Sequence, residues 1–434
     1  MSTATEWRTY RTCELIDQKL LAIGDGYRAK NSELDKTGIP FARAGNINGG
    51  FNFDETDLFP KSDLRKVGEK ISRPGDVVFT SKGTVGRFAF VREATPIFVY
   101  SPQLCYWRSL APDMIDPRYL FYWMQGGEFW LQADGVKGQT DMADYVSLGD
   151  QRRMFITLPS PNEQRAIASI LGTLDDKIEL NRRMNRTLED IAQAIFKSWF
   201  VDFDPVIAKR EDHKPVGMDD TTAALFPAHF QETDMGPIPA GWKEGSTADI
   251  ARYVNGKNFT KNASGTGRMV IRIAELNSGP AGSTIYNDVK ANQDNVAFPN
   301  NLLFSWSGSL DVYRWHRDAA LVNQHIFKVV CEKYPQWFVY YHLQDAMTFF
   351  QGIAADKATT MGHIKREHLS QFDVALPPAE LINTANRIIR PIYDRIHRNE
   401  RQMLSLAALR DTLLPQLLSG ELRIGNSEKM IGEA

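Results

Sequence analysis

The chain contains one polar-flanked helical segment twice. The first copy is LDDKIELNRRM, from Leu174 to Met184, and the second is IYDRIHRNERQM, from Ile392 to Met403. The similarity extends well beyond both segments, so the repeating unit covers about half of the chain. A unit this long is not a solenoid repeat, because such repeats span only about 20–50 residues. The sequence therefore predicts two similar domains related by a pseudo-twofold axis.

Further matching segments give the order of elements within each copy. DPRYLFYWMQ (Asp116–Gln125) matches YPQWFVYYHLQ (Tyr334–Gln344), and RRMFITLPSPNEQ (Arg152–Gln164) matches LSQFDVALPPAEL (Leu369–Leu381). Nearer the start of each copy the matches are looser and their offset drifts. Loops accept insertions more readily than packed helices do. Each copy is therefore predicted to be a strand-rich globule with variable loops, followed by a long helix.

Both copies end in a segment with an apolar seam. Apolar residues recur at alternating spacings of four and three over 167–199 and again over 385–417, which is the pattern of a coiled coil. Pro161 and Pro378 stand where the two helices would begin. A helix of about 37 residues is about 55 Å long and cannot bury its seam in a small globule. The two helices are therefore predicted to pair with each other in opposite directions.

Two asparagines, Asn181 and Asn399, interrupt the apolar seams at matching positions near the middle of each helix. A buried asparagine at a seam position can fix the register of a coiled coil. We expect the two side chains to face each other and to set the helix register. The alternative is that both amides are solvated.

Together these patterns predict an α+β fold. Two similar mixed α/β domains, 1–160 and 242–378, would be separated by two long antiparallel helices, 161–200 and 379–420, that form a coiled coil with pseudo-twofold symmetry. Residues 201–241 mix charges, proline and glycine without periodicity and are predicted to form a surface linker. Residues 421–434 would form a C-terminal tail.

Composition and motifs argue against several classes of function. The net charge of −2 gives no global signal for nucleic acid, so DNA-binding groups would have to be clustered locally. The three cysteines form no CxxC pair, which argues against a disulfide framework or a zinc site and favours a reducing cytoplasm. No run approaches the roughly 18 apolar residues of a membrane span. A recognition or scaffolding role is therefore favoured.

Motifs for catalysis are also missing from the sequence. Phosphate-loop, dinucleotide-binding and zinc-protease patterns are absent, as is the motif with which amino-methyltransferases hold a flipped base. The histidines form no ligand-spaced pair, and His316 and His325 are expected to be ordinary core or surface residues. The sequence predicts neither a catalytic nor a metal site.

Three segments carry a resemblance to a known family: Leu158–Val206, Met235–Gly245 and Arg401–Leu422. The first and last resemble the two helical conserved regions of the DNA-specificity (S) subunit of type I restriction–modification enzymes, the HsdS family. The middle one resembles the start of that family's second recognition domain. The resemblance covers nearly the whole chain in order. The second copy departs from it, because Leu376–Ile388 lacks the P-x-E-Q motif of the first copy.

The resemblance implies a non-catalytic subunit with no cofactor of its own. Each globule would be a target-recognition domain for one half of a bipartite, asymmetric DNA site, and the helices would set the spacing and dock two modification (methyltransferase) subunits. The implied partners are double-stranded DNA, those subunits and restriction/translocase subunits, with S-adenosylmethionine, ATP and Mg held by the partner subunits, and no membrane. Two alternatives are a duplicated protein–protein scaffold without DNA specificity and a stand-alone DNA methyltransferase, the second weakened by the absent motifs.

DNA contacts are expected from loops that carry basic, amide and hydroxyl side chains. In the first domain the candidates are Arg43, Asn46, Ser81, Lys82, Arg87, Lys137, Gln139 and Thr140. In the second domain the corresponding candidates are Arg272, Asn277, Ser307, Ser309, Arg314, Lys357, Thr359 and Thr360. For each residue the alternative is an ordinary exposed loop position.

Overall fold

The computed structural model describes residues 7–47, 50–136, 144–356 and 362–423. The chain divides into two compact units, the first formed by Met1–Lys177 with Leu406–Ala434 and the second by Ile178–Ser405. Each unit therefore combines one globular portion with a part of each long helix. Within the described ranges, no helix has both the length and the hydropathy that a bilayer-spanning helix needs.

The first unit begins with short strands and helices. The strands are β1 (Arg8–Arg11), β2 (Leu21–Asp25), β3 (Ile39–Ala42), β4 (Leu58–Phe59), β5 (Val77–Thr80), β6 (Phe88–Phe90), β7 (Val99–Tyr100), β8 (Leu104–Ser109) and β9 (Phe155–Leu158). The helices are α1 (Thr12–Asp17), α2 (Pro117–Trp123), α3 (Gly127–Val136) and α4 (Leu148–Arg153), with 3₁₀ turns at Asn31–Glu33, Ala44–Asn46 and Lys61–Lys66.

These strands form two curved sheets and a separate pair. One sheet has the order β2-β8-β5-β6 and the other β4-β3-β7, while β1 pairs with β9. All the pairings are antiparallel except the parallel pairing of β3 with β7. The sequence VVFT of β5 is buried along its whole length, which explains why it is an uninterrupted apolar run rather than an alternating one. Helices α2 and α3 pack on the core that this strand helps to form.

Two long helices and a connecting segment link the globular portions. The first long helix is α5 (Pro161–Phe200), and the connection that follows contains α6 (Asp204–Arg210), α7 (Asp220–Ala224) and the strands β10 (Phe230–Gln231) and β11 (Ile238–Pro239). The second unit continues with the strands β12 (Lys243–Ser246), β13 (Arg252–Asn255), β14 (Arg268–Ile271), β15 (Tyr286–Asn287), β16 (Val296–Ala297), β17 (Leu302–Ser305), β18 (Asp311–Arg314), β19 (Ala320–Val322), β20 (Ile326–Val330) and β21 (Asp373–Leu376). Its helices are α8 (Thr247–Ile250), α9 (Ile273–Ser278), α10 (Gln336–Asp345), α11 (Met347–Asp356) and α12 (Ala379–Leu418), with 3₁₀ turns at Gln293–Asn295 and Arg366–Gln371.

The second unit repeats the sheet topology of the first, with one additional edge strand, β16, in its second sheet. Its sheets have the orders β13-β20-β17-β18 and β15-β14-β19-β16, with β12 paired to β21, and β14 lies parallel to β19 as β3 does to β7. A close backbone approach is also repeated. A Cβ atom on Gly26 would lie 1.9 Å from the carbonyl oxygen of Ser101, and one on Gly256 would lie 2.0 Å from that of Asn323. The predicted two-domain α+β fold is confirmed.

Helices α5 and α12 pack against each other within each unit. In the first unit, Ile167 and Leu171 share a core with Leu417, and Arg410 donates to Asp175 at 2.8 Å. In the second unit, α5 residues toward its C-terminus, such as Phe196, share a core with residues toward the start of α12. Residues near the start of α5 thus contact residues near the end of α12, and residues near the end of α5 contact residues near the start of α12. The paired segments are therefore antiparallel.

The seam asparagines are buried, but they are not partners of each other. Asn399 donates to Oδ1 of Asn185 at 2.7 Å, and Asn181 donates to Oε1 of Gln402 at 2.8 Å. Asn185 lies one turn beyond Asn181 on α5. The expectation of a direct pair assumed that the helices cross level with Asn181 and Asn399, whereas the register is displaced by about one turn. Burial of these amides also rules out the solvated alternative.

Residues 201–241, predicted to be a surface linker, contribute instead to the core of the second unit. Val206, Phe226 and Ile238 are almost completely buried and belong to the core of the second unit, where Phe226 packs on Trp199 at a ring distance of 5.4 Å. Widely spaced apolar residues among many charges show no periodicity. Their burial depends on the fold of the second unit, which sequence pattern alone does not reveal.

Candidate nucleic-acid interface

Four loops of the first unit meet at one end of its larger sheet. They are residues 43–47 after β3, 81–87 between β5 and β6, 101–103 before β8, and 144–146 before α4. We call this surface the first loop face. The backbone N–H of Ser81 donates to the carbonyl oxygen of Gln103 at 3.0 Å, and that of Gly83 donates to the carbonyl oxygen of Asp144 at 3.0 Å. Main-chain hydrogen bonds therefore hold these loops together.

Basic and amide side chains bridge the same loops. Arg87 donates from Nη1 to the carbonyl oxygen of Ala44 at 3.3 Å, and the Ala44 N–H donates to Oε1 of Gln103 at 3.3 Å. The Lys82 ammonium lies 5.9 Å from the ring centroid of Tyr145. Lys82, Arg87 and Gln103 are exposed. The first loop face therefore concentrates positive charge and hydrogen-bond donors.

Three further sequence candidates in this unit also have internal partners. Arg43 donates to Asp57 at 2.5 Å and retains 43 % side-chain exposure. Asn46 accepts from the Arg43 N–H and donates to the carbonyl oxygen of Asn52 and to Thr56. Ser81 is 1 % exposed and accepts from the Cys105 thiol. Asn46 therefore shapes its turn, and the burial of Ser81 does not support contact with a ligand.

The equivalent loops of the second unit form a different surface. Residues 272–277, 306–311, 323–325 and 362–364 make up the second loop face. The backbone N–H of Trp306 donates to the carbonyl oxygen of His325 at 3.2 Å, and that of Gly308 donates to Gly362 at 3.0 Å. The Trp306 ring lies 5.4 Å from that of His325 and 6.5 Å from that of His363. Imidazole and indole groups thus occupy the region that holds Lys82, Gln103 and Tyr145 in the first unit.

The strand register shows that Arg87 does not correspond to Arg314, as the sequence comparison had suggested. Thr80 pairs with Arg87, because Phe79 pairs with Phe88 in the antiparallel β5–β6 hairpin, and Ser305 pairs with Asp311. The counterpart of Arg87 is therefore Asp311 rather than Arg314. The loop over 306–310 is one residue shorter than that over 81–86, and Arg314 falls at the end of β18. Burial raises the pKa of the Asp311 carboxyl.

Arg314 and Arg272 both form ion pairs with acidic side chains of the second unit. Arg314 forms an ion pair with Glu189 of α5 and lies between the rings of Tyr340 and Tyr393, at 4.6 and 4.8 Å from their centroids. Its side chain is 14 % exposed. Burial opposes its charge, but the two rings and Glu189 together hold the pKa of the guanidinium above its usual value. Arg272 donates twice to buried Glu275, at 2.9 and 2.6 Å. These contacts give both arginines structural roles.

The remaining candidates divide between exposed, buried and undescribed positions. Asn277 is exposed and accepts from the Tyr313 hydroxyl at 2.5 Å, Ser309 is exposed, and Ser307 is 6 % exposed. Six further candidates lie outside the described residues: Lys137, Gln139, Thr140, Lys357, Thr359 and Thr360. In the part of the chain that is described, no cluster of histidine, cysteine and acidic side chains is arranged to hold a metal ion.

Sequence reasoning did not select Gln103, Tyr145, Trp306 or His363 for this surface, and it assigned no role there to His325. The signal that could have identified Gln103 and His325 is their position relative to a strand. Gln103 and His325 each stand directly before a strand whose first residue, Leu104 or Ile326, is fully buried. A polar residue at such a strand start marks a loop on the sheet edge, but only the assembled sheets show which loops converge.

The fold defines a duplicated protein in which each copy consists of a globular portion followed by a long helix. The model of the family described as type I restriction modification DNA specificity domain matches residues 6–190 and 239–404. The chain belongs to this family. It is a specificity subunit, a non-catalytic component that confers DNA sequence specificity, and the catalytic activities of such systems reside in other subunits.

Two curated relatives are similar to this chain in sequence, and one solved structure is similar to it in fold. The chain is 24 % identical to the type I restriction enzyme HindI specificity subunit of Haemophilus influenzae, with 94 % of this chain and 100 % of the relative covered. It is also 24 % identical to the MjaIX specificity subunit of Methanocaldococcus jannaschii, covering 83 % and 81 %. The fold is similar to that of the crystal structure of the type I restriction–modification S subunit from M. genitalium, with a TM-score of 0.56, 14 % identity, and 96 % and 97 % coverage.

Proposed function

We propose that each unit binds one half of a bipartite, asymmetric site in double-stranded DNA through its loop face. The observation that carries this proposal is the first loop face, where exposed Lys82, Arg87 and Gln103 lie on adjoining loops although the whole chain has a net charge of only −2. Cations neutralise phosphates, whereas amide and guanidinium groups match base edges in the major groove. A nearly neutral protein that binds DNA needs such a local concentration of donors.

We propose further that α5 and α12 set the spacing of the half-sites and dock two modification subunits. The buried amide pair of Asn185 and Asn399 supports a fixed register, because a slipped register would leave these groups without partners. Several apolar side chains on the helices are exposed, including Leu180 at 44 %, Ile191 at 45 % and Leu409 at 48 %. Exposed apolar groups of this kind suit contact with partner subunits.

The full complex is proposed to act in the cytoplasm, with restriction/translocase subunits as further partners. Methyl transfer would use S-adenosylmethionine, and translocation and cleavage would use ATP and Mg, all bound outside this chain. The first half of the test is to map methylated adenines genome-wide in the source organism. A bipartite motif with a fixed gap is the expected result.

The second half of the test is duplex binding by the chain with its cognate modification subunit. We expect salt-dependent binding that prefers the mapped motif over a scrambled duplex. Binding that ignores sequence, or no binding at any salt concentration, would instead favour the protein-scaffold alternative. A methyl-transfer assay on the chain alone is expected to show no activity.

A matched pair of arginine variants tests the loop face itself. Arg87 lies on the first loop face, whereas Arg73 stands before the opposite end of β5, is 52 % exposed and pairs with Glu69. If Arg87 binds the DNA backbone, Arg87→Ala should lower the salt dependence of DNA binding by about one phosphate contact. If Arg87 reads guanine, the substitution should cost about 1–3 kcal/mol of binding free energy at one base pair. Arg73→Ala should change neither quantity. Equal effects of the two substitutions would contradict the placement of the interface.

A further inference from the structure

Gln103 and His325 occupy the same position in the two units. Each stands immediately before a central strand of the equivalent sheet, β8 in β2-β8-β5-β6 or β20 in β13-β20-β17-β18, and each is exposed. Each carbonyl oxygen accepts a backbone N–H from the loop that follows the neighbouring strand, from Ser81 in one unit and from Trp306 in the other. The backbone at this position is therefore held alike in both units, and only the side chain differs.

The Gln103 amide has a defined orientation. The Ala44 N–H donates to it at 3.3 Å, and only its carbonyl oxygen can accept this hydrogen. The amide nitrogen is left with two N–H donors for a ligand. The oxygen also keeps a second lone pair, so the amide can make the bidentate contact of glutamine with N6 and N7 of adenine in the major groove.

The His325 imidazole has a different donor set. The Gln324 amide nitrogen lies 3.2 Å from Nε2 of His325, and an amide nitrogen can only donate. With the amide in this orientation Nε2 accepts, and the tautomer that fits the contact has its hydrogen on Nδ1. Trp306 packs beside the ring at 5.4 Å and restricts its position. An imidazole thus stands in the second unit at the position where the first unit has an amide.

We propose that Gln103 and His325 are equivalent base-reading residues, and that the difference between their side chains helps to give the two half-sites different sequences. This inference rests on the proposed function of the loop faces. It assigns one base-specific position to each unit. Lys82 and Arg87, by contrast, supply charge to the first loop face. The asymmetry of the DNA site then follows in part from one amide-to-imidazole difference.

The test exchanges the two side chains in the full chain complexed with its modification subunit. Gln103→His and His325→Gln are assayed by methylation of duplex libraries in which each base pair of the mapped motif is varied in turn. We expect each variant to lose about tenfold or more of its discrimination at one base pair of one half-site, with the other half-site unchanged. Arg73→Ala and Arg252→Ala, at the opposite ends of the same sheets, serve as controls and should keep the parent preference.

The outcomes separate this inference from the proposed function. A parent complex without sequence preference would refute the proposed function itself. A selective parent whose exchange variants keep its base preference, or lose activity equally on every duplex, would refute the base-reading role alone. Gln103→Ala and His325→Ala provide the same comparison if either exchanged side chain prevents folding, as judged by thermal melting.

Discussion

Replacing Arg314 by methionine tests whether this arginine is part of the structure or of the DNA-binding surface. Methionine keeps an unbranched stem of similar length but removes the charge. The guanidinium pairs with Glu189, which is 23 % exposed, and lies against the rings of Tyr340 and Tyr393. Its loss would leave the Glu189 carboxylate largely buried without its cation.

The expected cost follows from these contacts. Removing one partner of a buried ion pair destabilises a protein by about 3–5 kcal/mol, because the other charge stays desolvated. The cation–π contacts belong to the same interaction and are not added separately. Arg314→Met should therefore lower the free energy of unfolding by about 3–5 kcal/mol in urea titrations followed by circular dichroism. Glu189→Gln in the same background should recover part of that loss.

Two results would refute this reasoning. One is additivity of Arg314→Met and Glu189→Gln to within about 0.5 kcal/mol, since contacting groups normally couple more strongly than that. The other is a folded Arg314→Met complex whose DNA affinity depends less on salt than that of the parent, which would place the guanidinium on a phosphate. Arg87→Ala, which removes no buried ion pair, provides the contrast.

Three further outcomes are expected. Burial lowers the pKa of His342 to about 3, so between about pH 6.5 and pH 3 this side chain gains its proton only in the unfolded chain. The free energy of unfolding should therefore fall as pH drops, by about 2 kcal/mol at pH 5. His342→Leu should lose this part of the pH dependence in urea titrations at pH 7.5 and 5. Replacing Asn181 and Asn399 together by leucine should relax the helix register, seen as a wider range of accepted gaps in the methylated motif, whereas an unchanged gap and specificity would exclude a register role. Gly256→Ala should lower the melting temperature, because its Cβ would lie 2.0 Å from a carbonyl oxygen; an unchanged melt would show that the backbone relaxes freely.

The long helices were predictable because their signal is local. A seam that repeats every three and four residues reports one buried face, whatever the rest of the chain does. The duplication added the pairing of the helices and their antiparallel direction. The exact partners of Asn181 and Asn399 were not predictable, because a shift of one turn keeps the same seam face buried and leaves the sequence pattern unchanged.

The loop faces were only partly predictable. Polar loop residues such as Lys82 and Arg87 can be recognised from composition, but neither their exposure nor their neighbours can. Arg314 shows the limit. It stands three residues beyond Asp311, the counterpart of Arg87, so it lies at the end of β18 and pairs with Glu189 of α5.

The sequence by itself determined the duplication, the two helices and the order of elements, because each depends on spacing along the chain. Tertiary structure decided which loops converge, which arginines are consumed by internal ion pairs, and that Gln103 and His325 are equivalent. Those properties depend on strand register and on contacts between residues far apart in the chain, such as Arg314 with Glu189.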